Sequence, residues 1–178
     1  PEELAFTAGV RREHHDHRVA VVGSTREELR TALDAFARGE ASPAVVSGRR
    51  PSGARPRVAF VFSGHGSQHA TMARELMQSE SVFRDAMKAC DAALAPHLGW
   101  SVIDALTGET TELERVDVVQ PMLFAIQIAL SALWMSRGVV PDSVVGHSVG
   151  EAAAAYVAGA LSLEDAARLV SLRSKLLR

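Results

Sequence analysis

The sequence predicts an α/β protein, a parallel sheet with flanking helices, preceded by a small α/β segment. Three observations predict it. Two short apolar runs, at 58–62 and 143–145, each lead into a glycine-bearing turn. Helix-like patterns follow both turns, and a Gly/Pro/Arg-rich stretch at 48–56 sets the first part of the chain apart. In order, a charged segment at 11–18 precedes an apolar strand at 19–23. Ser24 or Thr25 then starts a helix over 26–38, with Leu29, Leu33 and Phe36 as its apolar stripe. Beyond the linker, Val58-Ala59-Phe60-Val61-Phe62 suits a central parallel strand. Helices are predicted near 68–78, 80–94 and 120–136, the last very apolar. A strand at 143–145 and a helix at 151–158 ended by Gly159 come next. No internal repeat or low-complexity segment interrupts the pattern.

Composition sets bounds on function. With 178 residues, 47% apolar and 22% charged, the chain can bury a real core. A net charge of −2 gives no electrostatic case for nucleic acid or an anionic membrane. The single cysteine, Cys90, excludes an internal disulfide and fits a reducing compartment, so a cytoplasmic location is expected. No apolar run is read as long enough for a membrane span, and no secretory signal opens the chain. The start at Pro1 and the stop at Arg178 inside a helical pattern suggest a piece of something longer.

The most specific motif is Gly146-His147-Ser148-Val149-Gly150, a G-x-S-x-G turn between a strand and a helix. Such an elbow holds Ser148 at a sharp bend with its hydroxyl exposed, while the glycines let strand and helix approach. The Val149 N–H, at the helix start, points where an oxyanion would form. The bland alternative is a turn that happens to contain glycine and serine. A second turn, Ser63-Gly64-His65-Gly66-Ser67-Gln68, lacks the Lys-Ser/Thr of a P-loop and the full dinucleotide fingerprint. The His65 backbone N–H is the candidate second oxyanion donor, a plain tight turn being the alternative.

Arg173 is a third candidate. Ser162 and Asp165 make a capping-box-like start, after which Leu163, Ala166, Val170, Arg173 and Leu177 form one helix stripe. Arg173 thus interrupts an apolar face, whereas Arg168, Lys175 and Arg178 can lie nearer solvent. A buried guanidinium needs an anion or several acceptors, either a ligand carboxylate or an internal acid. Gln120 either lines a pocket or caps the following helix. His14, His15 and His17 lack further ligands nearby in sequence, so no metal site is expected. His147 reads as a packed, hydrogen-bonded core residue and a poor base. His69, His97 and Cys90 have no chemical context.

Together, FVFSGHGSQ at 60–68 and GHSVGE at 146–151 resemble the acyltransferase domain of modular polyketide synthases and the related malonyl-CoA:acyl-carrier-protein transacylases. The family usually has Gln where this chain has His65, a tolerable change if the donor is the backbone N–H. The resemblance continues through 115–121 and 161–170, and residues 1–56 resemble the linker that joins a ketosynthase to the acyltransferase. It implies two parts: that linker at 1–56, and at 57–178 the N-terminal part of an α/β-hydrolase-like acyltransferase core. The core is expected to be incomplete, stopping before the catalytic histidine and the small ferredoxin-like subdomain.

The resemblance also implies roles. Ser148 would attack the thioester of malonyl- or methylmalonyl-CoA, with His65 and Val149 N–H groups on the oxyanion. Arg173, 25 residues after the serine, would hold the substrate carboxylate, and Gln120 would line the acyl pocket. The acyl group would pass to the phosphopantetheine of an acyl carrier protein; no cofactor is expected on this chain. An adjoining ketosynthase is the other implied partner. Val149 favours malonyl, while Arg115-Val116-Asp117-Val118-Val119-Gln120 resembles the methylmalonyl pattern, leaving a lean to malonyl. The chain alone is expected to be inactive for lack of the base. Two other readings stay open: a serine hydrolase or thioesterase, and a non-catalytic docking fragment of a megasynthase.

Overall fold

The computed structural model describes residues 2–53, 55–108 and 114–177. The chain divides into two compact units, Pro1–Pro56 and Arg57–Arg178. Ala54 of the linker and Arg178 at the end of the last helical pattern lie outside the described residues.

In the first unit, helix α1 (Glu2–Val10) precedes strand β1 (His17–Val21). Helix α2 (Arg26–Ala37) and strand β2 (Val45–Arg49) follow. β1 and β2 pair antiparallel, Val21 opposite Val45 and His17 opposite Arg49. β1 therefore starts two residues before the expected strand, and Gly48 and Arg49 belong to a strand rather than to the linker. The ladder, nucleated by β-branched Val45 and Val46, carries these weak strand formers along. Thr25 is the N-cap of α2: its Oγ1 accepts from Glu28 N–H at 3.1 Å, and Glu28 Oε2 accepts in return from Thr25 N–H at 3.3 Å. Of the α2 stripe, Leu29 is half-buried, but Leu33 and Phe36 are exposed; Ala32 is the buried residue.

The second unit opens with strand β3 (Ala59–Phe62). Four helices follow before the next strand: α3 (Arg74–Ser79), α4 (Ser81–Leu98), α5 (Val102–Thr107) and α6 (Val116–Ser136). Strand β4 (Ser143–Gly146) and helices α7 (Gly150–Val157) and α8 (Leu163–Leu176) complete it. β3 and β4 run parallel with Ala59 opposite Ser143 and Phe62 opposite Gly146, so the predicted α/β core with a parallel sheet is present. Asp142 fixes the start of the pair: its N–H donates to Val58 O at 2.7 Å, and its Oδ2 accepts from Val58 N–H at 2.8 Å.

The core lies where α4, α6, α7 and α8 meet. α4 contributes Phe83, Met87, Cys90 and Leu94, spaced four, three and four residues apart as one helix stripe. Burial and the neighbouring Asp91 charge push the Cys90 thiol up to about 12, so it stays protonated and serves as packing. α6 begins four residues before the expected helix and carries Pro121 inside it. Contrary to the sequence reading, α6 is long and apolar enough to cross a membrane, but most of it is buried within this unit. Its Val119, Met122, Phe124, Ala125 and Ala129 are sealed in the core.

One other expectation changes. The helix predicted over 68–78 is confined to α3, because Ala73 adopts a left-handed φ of 68° and cannot continue a right-handed helix. β3 has one strand partner, β4, among the described residues. Val61 and its partner Val145 are 74% and 59% exposed.

Candidate active site

The elbow is built from the requirement that β4, α7 and the end of β3 share one small volume. A Cβ on Gly150 would overlap the Phe62 carbonyl oxygen and lie 2.8 Å from Ser63 O. A Cβ on Gly146 would lie 2.6 Å from Glu151 N. Both positions therefore require glycine. Between them, Ser148 adopts φ 57°, a left-handed conformation that costs an L-residue roughly 1–2 kcal/mol. Its surroundings hold it there: His147 N–H donates to Phe62 O at 3.0 Å, Gly150 N–H to His147 O at 3.0 Å, and Glu151 N–H to Ser148 O at 3.1 Å. Val149 is the N-cap residue of α7 with its side chain buried. Its N–H donates to no acceptor among the described residues.

The turn after β3 lies against this elbow. A Cβ on Gly64 would come within 2.6 Å of His147 Nδ1, so the two turns touch. Gln68 folds back over the turn, its Oε1 accepting from Gly66 N–H at 2.9 Å and its Nε2 lying 3.3 Å from His65 Nε2. Gly66 has φ 120°, open to glycine. The His65 N–H, like that of Val149, has no acceptor among the described residues. Two adjacent turns thus each present one backbone donor without an acceptor among the described residues.

Arg173 reaches the elbow from α8. Ser162 Oγ caps that helix by accepting from Asp165 N–H at 3.0 Å, as the sequence predicts, while Asp165 Oδ2 accepts from the Ser162 hydroxyl instead of reaching a backbone N–H. Lys175 Nζ donates to His97 O at 2.6 Å, tying α8 to the end of α4. Arg173 is half-buried on the stripe of Ala166 and Val170. Its Nη2 donates to Ser148 Oγ at 3.2 Å and its Nη1 to Gln120 Oε1 at 3.0 Å. No carboxylate lies within ion-pair distance of it among the described residues, so the internal-acid alternative finds no partner there.

Gln120 is buried and stands inside α6, one turn past its N-cap Arg115, so it does not cap that helix. Arg115 pairs with Asp117 in the first turn at 2.7 Å. The structure therefore brings Ser148, Arg173, Gln120 and the two turns together.

Other candidates fall outside that group. His147 is exposed and its ring makes no hydrogen bond among the described residues, contrary to the expected packed core position. The parallel ladder ends at Gly146 and leaves the side chain of residue 147 outside the core. His14 Nε2 bonds Gly9 O at 2.9 Å and His17 lies in β1, both in the first unit. His69 Nδ1 lies 3.2 Å from Thr71 Oγ1. Sequence reasoning missed Gln68, Lys175 and Gln127. Gln127 carried a readable signal, the one polar residue in the apolar stretch 121–130 of α6, seven positions after Gln120.

A strained serine in a strand-to-helix elbow, with two backbone donors lacking acceptors and a guanidinium lacking a carboxylate partner among the described residues, fits the nucleophile-elbow class of acyl-transferring and hydrolysing proteins. Comparison with known proteins narrows the class. Residues 59–178 match the acyl transferase domain family, and the chain belongs to that family. Residues 2–33 match the C-terminal segment of CurL-like polyketide synthases. Polyketide synthase GfsE of Streptomyces halstedii is 50% identical over 177 residues, which cover 99% of this chain and 4% of GfsE. Erythronolide synthase EryA3 of Saccharopolyspora erythraea is 49% identical over 176 residues, covering 99% of this chain and 6% of EryA3. The crystal structure of the acyltransferase domain from module 8 of the salinomycin polyketide synthase superposes with a TM-score of 0.86 at 45% identity, covering 99% of this chain and 42% of that one. The malonyl-CoA:ACP transacylase of Synechocystis sp. PCC 6803 gives a TM-score of 0.59 at 33% identity, over 68% of this chain and 40% of that one. The chain thus spans a small part of its curated relatives and under half of these two solved structures.

Proposed function

We propose that this chain supplies the nucleophile, the oxyanion donors and the carboxylate clamp of a polyketide-synthase acyltransferase. Ser148 attacks the thioester carbonyl of a malonyl-type CoA, and the tetrahedral oxygen is held by the His65 and Val149 N–H groups. Coenzyme A leaves as the thiol. The phosphopantetheine thiol of an acyl carrier protein then takes the acyl group from Ser148, a ping-pong transfer in the cytoplasm. The proton of Ser148 is taken by a histidine from the remainder of the acyltransferase domain, since no ring in the second unit bonds Ser148 among the described residues. Residues 1–56 act as the linker from an adjoining ketosynthase, and 57–178 as the first part of the acyltransferase core.

One observation carries this reading: Arg173 lies 3.2 Å from Ser148 Oγ and is steadied by Gln120. A hydrolase of neutral esters has no use for a cation there, whereas a carboxyacyl thioester brings its own anion. The guanidinium can turn its remaining N–H groups to that carboxylate while Gln120 keeps one arm fixed. Val149, beside the nucleophile, supports malonyl over methylmalonyl. A single methyl is worth only about 1–3 kcal/mol in a pocket, so residues elsewhere in the domain share that choice.

Arg173→Ala, in the protein carrying the whole acyltransferase domain, should cut malonyl transfer by about 2–4 kcal/mol in kcat/KM and leave acetyl transfer nearly intact. Steady-state transfer to the carrier with both thioesters measures this. An equal fall for malonyl and acetyl would make Arg173 a structural residue only.

A further inference from the structure

We propose that Gln127 is a positioning residue that sets the oxyanion turn through the Ser63 carbonyl; the inference rests on the acyl-transfer reading above. Gln127 lies on α6, two helical turns after Gln120, so both glutamines project from one face of the helix. Gln120 accepts from Arg173, whereas Gln127 bonds the turn after β3, donating from Nε2 to Ser63 O at 2.7 Å. Because Ser63 O can only accept, the amide orientation is forced. Its Oε1 is then sealed from solvent and has no partner among the described residues. A half-buried amide whose oxygen is sealed and unsatisfied is poorly explained as a stability device, because an apolar residue would avoid the cost.

The anchored carbonyl sits at a decisive place. Ser63 follows the last residue of β3, and its oxygen is one of the atoms that exclude a side chain at Gly150. The peptide bonds are trans, so aiming Ser63 O at α6 directs the Gly64 N–H the other way, and the His65 N–H follows one residue later. Packing holds that peptide on its elbow side, where Gly64 lies against His147 and Ser63 O against Gly150, but not on its α6 side. Gly64 has no side chain, and between the turn and α6 lies an open cleft of about 470 Å³, bounded by Ser63, Ser67, Leu123, Gln127 and Leu130. Gln127 is the one side chain bonded to Ser63 among the described residues. Without it, the Ser63–Gly64 peptide loses the side-chain bond that ties it to α6, and the His65 N–H is aimed less tightly.

The test is single-turnover acylation of Ser148 in the protein carrying the whole acyltransferase domain, per titrated active site. Gln127→Met, close in volume, should slow acylation about ten- to fiftyfold, less than the hundredfold or more seen when an oxyanion donor itself is deleted. The fall should be the same for malonyl- and acetyl-CoA, with the apparent KM within about twofold, because the oxyanion forms only in the transition state. Gln127→Glu should be slow at pH 8, where a carboxylate faces the carbonyl. Relative to the parent at each pH it should recover toward pH 5, where the neutral acid can donate to Ser63 O. An unchanged rate per site in Gln127→Met, a loss confined to malonyl, or a pH-independent ratio for Gln127→Glu would overturn the inference. A parent protein that takes no acyl group on Ser148 would overturn the functional reading instead.

Discussion

Ser148→Gly is expected to abolish acyl transfer and make the protein more stable. The hydroxyl is the attacking group, so no acyl-enzyme can form; turnover should fall by three orders of magnitude or more, as when triad nucleophiles are removed. The same change relieves the left-handed backbone at φ 57°. Glycine adopts that conformation without the roughly 1–2 kcal/mol penalty, against about 0.5–1 kcal/mol lost to its greater freedom in the unfolded chain. A net gain of about 0.5–1 kcal/mol should appear as a higher midpoint in thermal unfolding. Ser148→Ala, which keeps the strain, should lose activity equally and gain nothing. A lower midpoint for the glycine variant would mean that the elbow is not strained.

The second large effect is structural. Gly150→Ala places a methyl against backbone atoms that cannot rotate away: the Phe62 carbonyl oxygen, its carbon at 2.7 Å and Ser63 O at 2.8 Å. Relief requires α7 to move off β3, which breaks the alignment of the Val149 N–H with the turn. The cost should be about 3 kcal/mol, at the upper end for overpacking, and acyl transfer should fall with it. Glu151→Ala, one residue on at an exposed position, provides the control and should change the midpoint little. A midpoint for Gly150→Ala equal to that of the parent would contradict the close packing of β3 and α7.

The site was legible in the sequence where residue type alone dictates geometry. Gly146 and Gly150 are demanded by the contact they allow, and Ser148 is the residue between them. Arg173 was found because a cation in the stripe of Ala166 and Val170 is anomalous in any fold. What could not be read depends on contacts distant in sequence. α5 forms because Asp91, ten and eleven residues away on α4, accepts from the Ser101 hydroxyl and the Val102 N–H. β2 exists because Val45 and Val46 meet Val21 and Ala20 across a ladder that carries Gly48 and Arg49 with it. The helix expected near 68–78 loses its first part because a single left-handed residue, Ala73, breaks it. His147 was misplaced because the elbow turns its side chain outward, whereas a continued strand would have buried it. Gln127 obeys the same anomaly test as Arg173, but its partner, a backbone carbonyl 64 residues earlier, has no signature in sequence.

The central claim is that Ser148 takes a carboxyacyl group selected by Arg173. The most direct measurement offers the protein carrying the whole acyltransferase domain an equimolar mixture of acetyl-, malonyl- and methylmalonyl-CoA. The reaction is stopped before carrier is added, and the peptide containing Ser148 is analysed by mass. The expected result is a malonyl ester on Ser148, absent from Ser148→Ala and displaced by acetyl in Arg173→Ala. Acetyl on Ser148 of the parent protein, or a carboxyacyl group on any other residue, would contradict the claim.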